Sequence, residues 1–139
     1  MQYFDTCVVV AYYVQEKKSR RVNELFTRAD GVAVSPLTKV EFCSAIGRLT
    51  QMKTISREDG LKVLYLFDLH LKDNMYTIYP ATNKTYELAY EFISALNAPL
   101  RALDALHLAV VFSNNLTLVT DDAAFAKTAE QFGVPVERV

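Results

Sequence analysis

Short runs rich in β-branched residues alternate along the chain with longer stretches of helical periodicity, and no other feature restricts the fold as much. "YFD" near the start, "VAVS" at 32–35, "YTIYP" at 76–80 and "LTLVT" at 116–120 read as strands, with "PVERV" as a short last one. Between them "EKKSRRVNELFTRAD" carries Val22, Leu25, Phe26 and Ala29 at helical spacing, with Gly31 as its stop. Ser35 followed by Pro36 marks a helix start that runs through "LTKVEFCSAIGRLTQ". Ser56, with Asp59 three residues on, caps the next helix. "TNKTYELAYEFISALN" is another, Pro99 opens the one around Asp104, and "DAAFAKTAEQFG" is closed by Gly133. "TCVVVAYYVQ" satisfies both readings: Val and Tyr favour a strand, while the run is long for one. The alternation predicts an α/β fold with a central, mostly parallel sheet of four to five strands.

With 139 residues and 51% hydrophobic content, the chain supports one domain, 1–139, with a substantial core. Fifteen basic against 16 acidic residues give a net charge of -1, which excludes a broad basic surface; any nucleic-acid contact is local. Cys7 and Cys43 lie in apolar segments without metal-type spacing and are expected to be reduced core thiols of a cytoplasmic protein. His70 and His107 are too few and too far apart for a zinc site. No basic leader and no apolar stretch of about 18 residues is present, so no membrane segment is expected.

One acid stands against the apolar pattern. In "PLRALDALHLAVV", residues 99–111, Asp104 has Leu100 and Leu108 as its neighbours four residues away, so its carboxylate borders a stripe that should be buried. A charge there requires a partner, water or a cation. Glu41, between Leu37 and Ala45, repeats the setting. Two strands also end on acids: Asp5 closes "YFD", and Asp121 and Asp122 follow "LTLVT". In a parallel sheet the ligand site lies beyond the carboxyl ends of the strands. Each acid has a structural explanation of its own. Asp5 and one of Asp121 or Asp122 can cap helices, Asp104 can pair with Arg101, and Glu41 can pair with Arg48 or Lys39 on an exposed edge. Together these explanations are weaker, because clustered carboxylates repel one another and are reconciled by a hard cation such as magnesium or manganese. Such a centre supports phosphodiester hydrolysis without histidine or cysteine. Thr6, Ser35 and Thr38 supply hydroxyls near the expected site, with Thr120 beside the last acids.

"YFDTCVVV", "SPLTKVEF", "LRALDALHLA" and "LVTDDAAF" resemble, in that order, the four acidic motifs of PIN domains, and length and acid order are similar to the VapC-type toxins of toxin–antitoxin pairs. The resemblance spans nearly the whole chain and implies a three-layer α/β/α sandwich with a Mg2+- or Mn2+-dependent endoribonuclease site at the strand ends. Carried over by position, Asp5, Glu41, Asp104 and Asp122 are the catalytic and metal-holding acids, and Thr120 is the hydroxyl residue before the last. Asp121 falls on the variable position and ranks below Asp122. The resemblance also implies that "TCVVVAYYVQ" is helical. Cys7 departs from the serine or asparagine usual after the first Asp-Thr, which implies weaker or apolar support of Asp5. Replacing Asp5 or Asp104 by asparagine is expected to abolish cleavage and leave the fold intact.

The basic run of Lys17, Lys18, Arg20 and Arg21, together with Arg48, Lys53 and Arg57, can track a phosphate backbone or form solvated faces. Arg101 can serve Asp104, a phosphate, or both. Leu64, Tyr65, Leu66, Phe67 and Leu69 cannot all face one core, so part of that helix is expected at an interface. The resemblance implies a homodimer and a cognate VapB-like antitoxin covering the groove. The alternative is a non-catalytic PIN-like module that binds RNA or protein. A dehalogenase-type phosphatase would need an acid at Cys7, and a receiver domain one after "YTIYP".

Overall fold

The computed structural model describes residues 1–139. Its strands are β1 (Gln2–Phe4), β2 (Val32–Val34), β3 (Thr77–Ile78), β4 (Thr117–Thr120) and β5 (Val136–Arg138). They form one sheet in the order β3-β2-β1-β4-β5, and every pairing is parallel. Seven helices connect and cover them: α1 (Thr6–Tyr13), α2 (Ser19–Arg28), α3 (Pro36–Gln51), α4 (Arg57–Lys72), α5 (Asn83–Ser94), α6 (Ala102–Ser113) and α7 (Ala123–Gln131).

Side chains on a strand alternate between the two faces of the sheet, and here both faces are apolar. Tyr3, Ala33 and Leu118 pack with Phe92, Leu108 and Phe125 of α5, α6 and α7. Their neighbours Phe4, Val34 and Val119 pack with Val8, Leu25, Phe42 and Phe67 of α1, α2, α3 and α4. Two separate cores on opposite sides of one sheet make the three-layer α/β/α arrangement.

The strand-prone segment "TCVVVAYY" is helical. Asp5 caps it, accepting from Thr6 N at 2.7 Å, and Val8, Val9 and Ala11 are buried under it. Burial of that face outweighs the intrinsic preference of β-branched residues for sheets. Three details differ from the sequence reading. α2 ends at Arg28, and Gly31, with φ of 88°, turns the chain into β2 rather than closing the helix. α6 begins at Ala102 with Arg101 as its cap, so Pro99 and Leu100 lie in the preceding loop. Asp104 is therefore in the first turn, where the helix dipole favours an anion, and Leu100 is not its helical neighbour. Cys7 and Cys43 are free thiols, but both are exposed rather than core residues, because the helices that carry them bury other positions, Val8 and Val9 of α1 and Phe42 and Ile46 of α3. No helix is long and apolar enough to cross a membrane.

Candidate active site

The sheet order reverses at β1, whose neighbours are β2 and β4, and ligand crevices in open parallel sheets form at such a point. Register sets the first pair of acids there. Phe4 is aligned with Val119, so Asp5 follows β1 where Thr120 ends β4. Thr120 Oγ1 donates to Asp5 Oδ2 at 2.8 Å and accepts from the backbone N–H of Asp122 at 3.1 Å. Asp122 caps α7, its Oδ1 accepting from Ala124 N and Phe125 N at 2.8 and 2.9 Å. Its Oδ2 lies 3.9 Å from Arg101 Nη2, and Arg101 Nε lies 3.4 Å from Asp104 Oδ2. Arg101 is 84% exposed, so this contact is a solvent-screened one.

Glu41 reaches the same place from α3. Thr6 Oγ1 donates to its Oε2 at 2.5 Å, and His107 Nε2 approaches the same oxygen at 2.6 Å. Burial alone would raise the Glu41 carboxyl, but the hydrogen bond and charge of His107, with the Thr6 bond, outweigh it and hold the group below its ordinary value. Asp104 is shifted the other way. Burial is the largest cause, the charges of Asp5 and Asp122 add to it, and Arg101 and His107 oppose it without cancelling it. A cleft of about 540 Å³ opens here, lined by Asp5, Glu41 and Asp122 with Cys7, Lys18 and Arg48.

The supporting residues divide into three groups. Thr6 and Thr120 touch the acids directly. Ser35 and Thr38 are buried behind them, forming the capping box of α3 and meeting the Tyr3 hydroxyl at 2.8 and 3.4 Å. Asp121 turns aside to an ion pair with Lys18. Cys7 Sγ donates weakly to Asp5 Oδ2 at 3.3 Å, as a thiol can; although the residue is exposed, the cleft shields its sulfur from water, and that desolvation together with the Asp5 charge pushes the thiol's pKa up. Lys39, one suggested partner of Glu41, pairs instead with Asp68 at 2.7 Å. Of the basic run, Arg20 pairs with Glu24 and Arg21 with Glu137, leaving only Lys18 in the cleft wall.

His107 is the residue that sequence reasoning missed. It is 1% exposed, and its Nδ1 meets the Tyr3 hydroxyl at 2.6 Å. The available signal was its position one turn after Asp104, which puts both side chains on the same side of α6.

The donors gathered here are carboxylate oxygens, the set that suits a hard divalent cation. Asp104, held above its ordinary value partly by two other acids, is a side chain that such an ion would relieve. In the present arrangement no three of these side chains stand at ligand spacing, so holding an ion requires the carboxylates to turn toward it. Glu41 Oε1 makes no hydrogen bond within the chain, whereas both oxygens of Asp5 are engaged.

Fold and cleft together define a parallel-sheet α/β/α domain with an acidic crevice at its topological switch point. The model of the PIN domain family matches residues 3–131, and the chain belongs to that family. Among solved structures it is similar to FitAcB from Neisseria gonorrhoeae, with 18% identity, a TM-score of 0.72, and 98% of this chain and 96% of that one covered. VapC20 of Mycobacterium tuberculosis, a sarcin-ricin loop cleaving toxin, is similar at 14% identity and a TM-score of 0.72, covering 91% and 94%. DNA-bound VapBC from Salmonella typhimurium follows at 14% and 0.67, covering 99% and 98%. At such identities the likeness is one of fold. No curated protein matches the sequence.

Proposed function

We propose that the chain is a single-domain, divalent-cation-dependent endoribonuclease, the toxin of a cytoplasmic toxin–antitoxin pair. The observation that carries this reading is the meeting of Asp5, Glu41, Asp104 and Asp122, from four separate parts of a PIN-family chain, around one crevice.

Asp5, Asp104 and Asp122 would hold Mg2+ or Mn2+, with Glu41 as a further ligand or as the group that orients water. When bound, the ion supplies charge stabilisation to the phosphoryl oxygens and acidity to a water molecule. The chain's own residues do the rest. Thr120 and the N–H of Thr6 fix the Asp5 carboxylate from two sides. Glu41, with Oε2 occupied and Oε1 unengaged, can accept a hydrogen bond from an attacking water. Arg101 is long, exposed and only loosely paired, so it can leave the acids for a phosphate. Arg48 and Lys18 line the cleft and place positive charge where the RNA backbone would run.

The test is incubation of the purified chain with total cellular RNA and Mn2+, with chelator as a control. Cleavage that chelation abolishes and Mn2+ restores is the expected result. Binding of RNA with no chelator-sensitive cleavage would instead identify a non-catalytic binding module. Replacing Arg48 by alanine is expected to raise KM for RNA several-fold with kcat little changed, and to reduce the salt slope of binding by about one phosphate contact. Steady-state kinetics at two salt concentrations check it.

The similar structures include a toxin–antitoxin complex from Klebsiella pneumoniae, which supports an antitoxin partner for this chain, and a homodimer is proposed beside it. Phe67 enters the core while Tyr65, Leu66 and Leu69 of α4 remain exposed, which leaves an apolar face for such contacts.

A further inference from the structure

A buried chain of polar groups runs behind Glu41. His107, on α6, is enclosed in the core, with Nε2 2.6 Å from Glu41 Oε2 and Nδ1 2.6 Å from the Tyr3 hydroxyl of β1. The Tyr3 hydroxyl in turn lies 2.8 Å from Ser35 Oγ, at the cap of α3, the helix that carries Glu41. Three elements bearing site acids, the β1–α1 corner, α3 and α6, are thus joined through one imidazole.

Packing alone does not account for this arrangement. A free glutamate on a helix has many rotamers, and ordering it costs side-chain entropy. Here two donors converge on Oε2, so the side chain is held in one orientation and Oε1 has no partner within the chain. An ionised carboxylate only accepts hydrogen bonds, so Nε2 must carry the proton, and Nδ1 is left to the tyrosine. Replacing the ring by an apolar one would leave both Glu41 and Tyr3 short of a partner.

We propose that His107 is a positioning residue: its Nε2–H, backed by Tyr3 at Nδ1, holds Glu41 by Oε2 and leaves Oε1 free to serve a bound cation, and would thereby set the affinity of the centre for Mg2+ or Mn2+. This rests on the nuclease reading. It adds an imidazole to a centre otherwise described by its acids. Partners that orient metal ligands are worth about 10- to 100-fold in metal affinity or activity.

The experiment compares His107→Gln with His107→Asn. Glutamine carries its amide near the place of Nε2 and can still donate to Glu41; asparagine reaches only as far as Nδ1. Mn2+ binding is followed by the electron paramagnetic resonance of free Mn2+, and cleavage is measured alongside. The glutamine variant is expected to bind Mn2+ within about threefold of the parent protein and the asparagine variant about 10- to 100-fold more weakly, with cleavage following. Equal affinities in the two variants would overturn the proposal, since only the glutamine amide reaches Glu41.

Two measurements cover the case in which either variant fails to fold. In the unmodified protein, 15N-histidine spectra should show a slowly exchanging proton on Nε2 of His107; its absence refutes the hydrogen bond. Tyr3→Phe, nearly isosteric, should weaken Mn2+ binding severalfold, and an unchanged affinity refutes the backing role. If the unmodified chain neither binds Mn2+ nor cleaves RNA, the nuclease reading fails first. If it does both while every variant matches it, only the role of His107 fails.

Discussion

Asp104→Asn is expected to reduce RNA cleavage at least about 100-fold and, without added metal, to raise the thermal midpoint. The first figure follows from the ligand role proposed for it, since groups that merely orient ligands are already worth about 10- to 100-fold. The gain in stability follows from the shift of its carboxyl. Burial, Asp5 and Asp122 raise its pKa in the folded protein despite Arg101 and His107, so at neutral pH the native state holds an anion that the unfolded chain accommodates better. For an acid raised in this way the penalty is full above the folded value. It shrinks as pH falls through that value and is gone below the unfolded value, near about pH 4. The depressed Glu41 has the opposite dependence, contributing stability that is lost as pH falls, but it is present in parent and variant and cancels in the comparison. Scanning calorimetry should therefore show the stability gap widest at pH 7 and closing toward pH 4, beside single-turnover assays. Undiminished cleavage, or a variant less stable at pH 7, would remove Asp104 from the centre.

Asp5→Asn is expected to abolish cleavage to a similar degree but to lower stability, and here the structure separates two acids that the sequence treated alike. Asp5 accepts from Thr6 N, Thr120 Oγ1 and Cys7 Sγ, so its charge is supported rather than strained. Asparagine caps helices as well as aspartate does. Its amide nitrogen, however, would face the Thr120 hydroxyl, which already accepts from Asp122 N and so has little freedom to rotate. Loss of one charge-assisted bond, partly offset by relief of Asp104, gives a destabilisation of roughly 1–2 kcal/mol. Denaturant titration of the two variants side by side is the check. A stabilised Asp5→Asn would mean that repulsion, not support, dominates at that position.

The acids themselves were legible because a carboxylate on an apolar stripe or at a strand end departs from the local pattern. Thr120 was legible because it ends a strand next to two acids. His107 was not, because an isolated histidine in "DALHLAVV" has the same local pattern whether it fills the core or holds a ligand. Cys7 was misjudged for a related reason: its apolar neighbours Val8 and Val9 are buried, while it stands at the end of α1 that opens on the cleft. Pro99 suggested a helix start that Arg101 takes instead, three residues before Asp104.

Sequence by itself determined the alternation of strands and helices and which carboxylates required an explanation. These are properties of neighbouring residues, written in periods of two and of about 3.6. The tertiary structure decided which acid is strained and which supported, that "TCVVVAYY" is a helix in fact, and that one buried imidazole joins α6 to Glu41. Those outcomes depend on distances between groups such as Tyr3 and His107, 104 positions apart, and on the dielectric around them, and neither is encoded in local spacing.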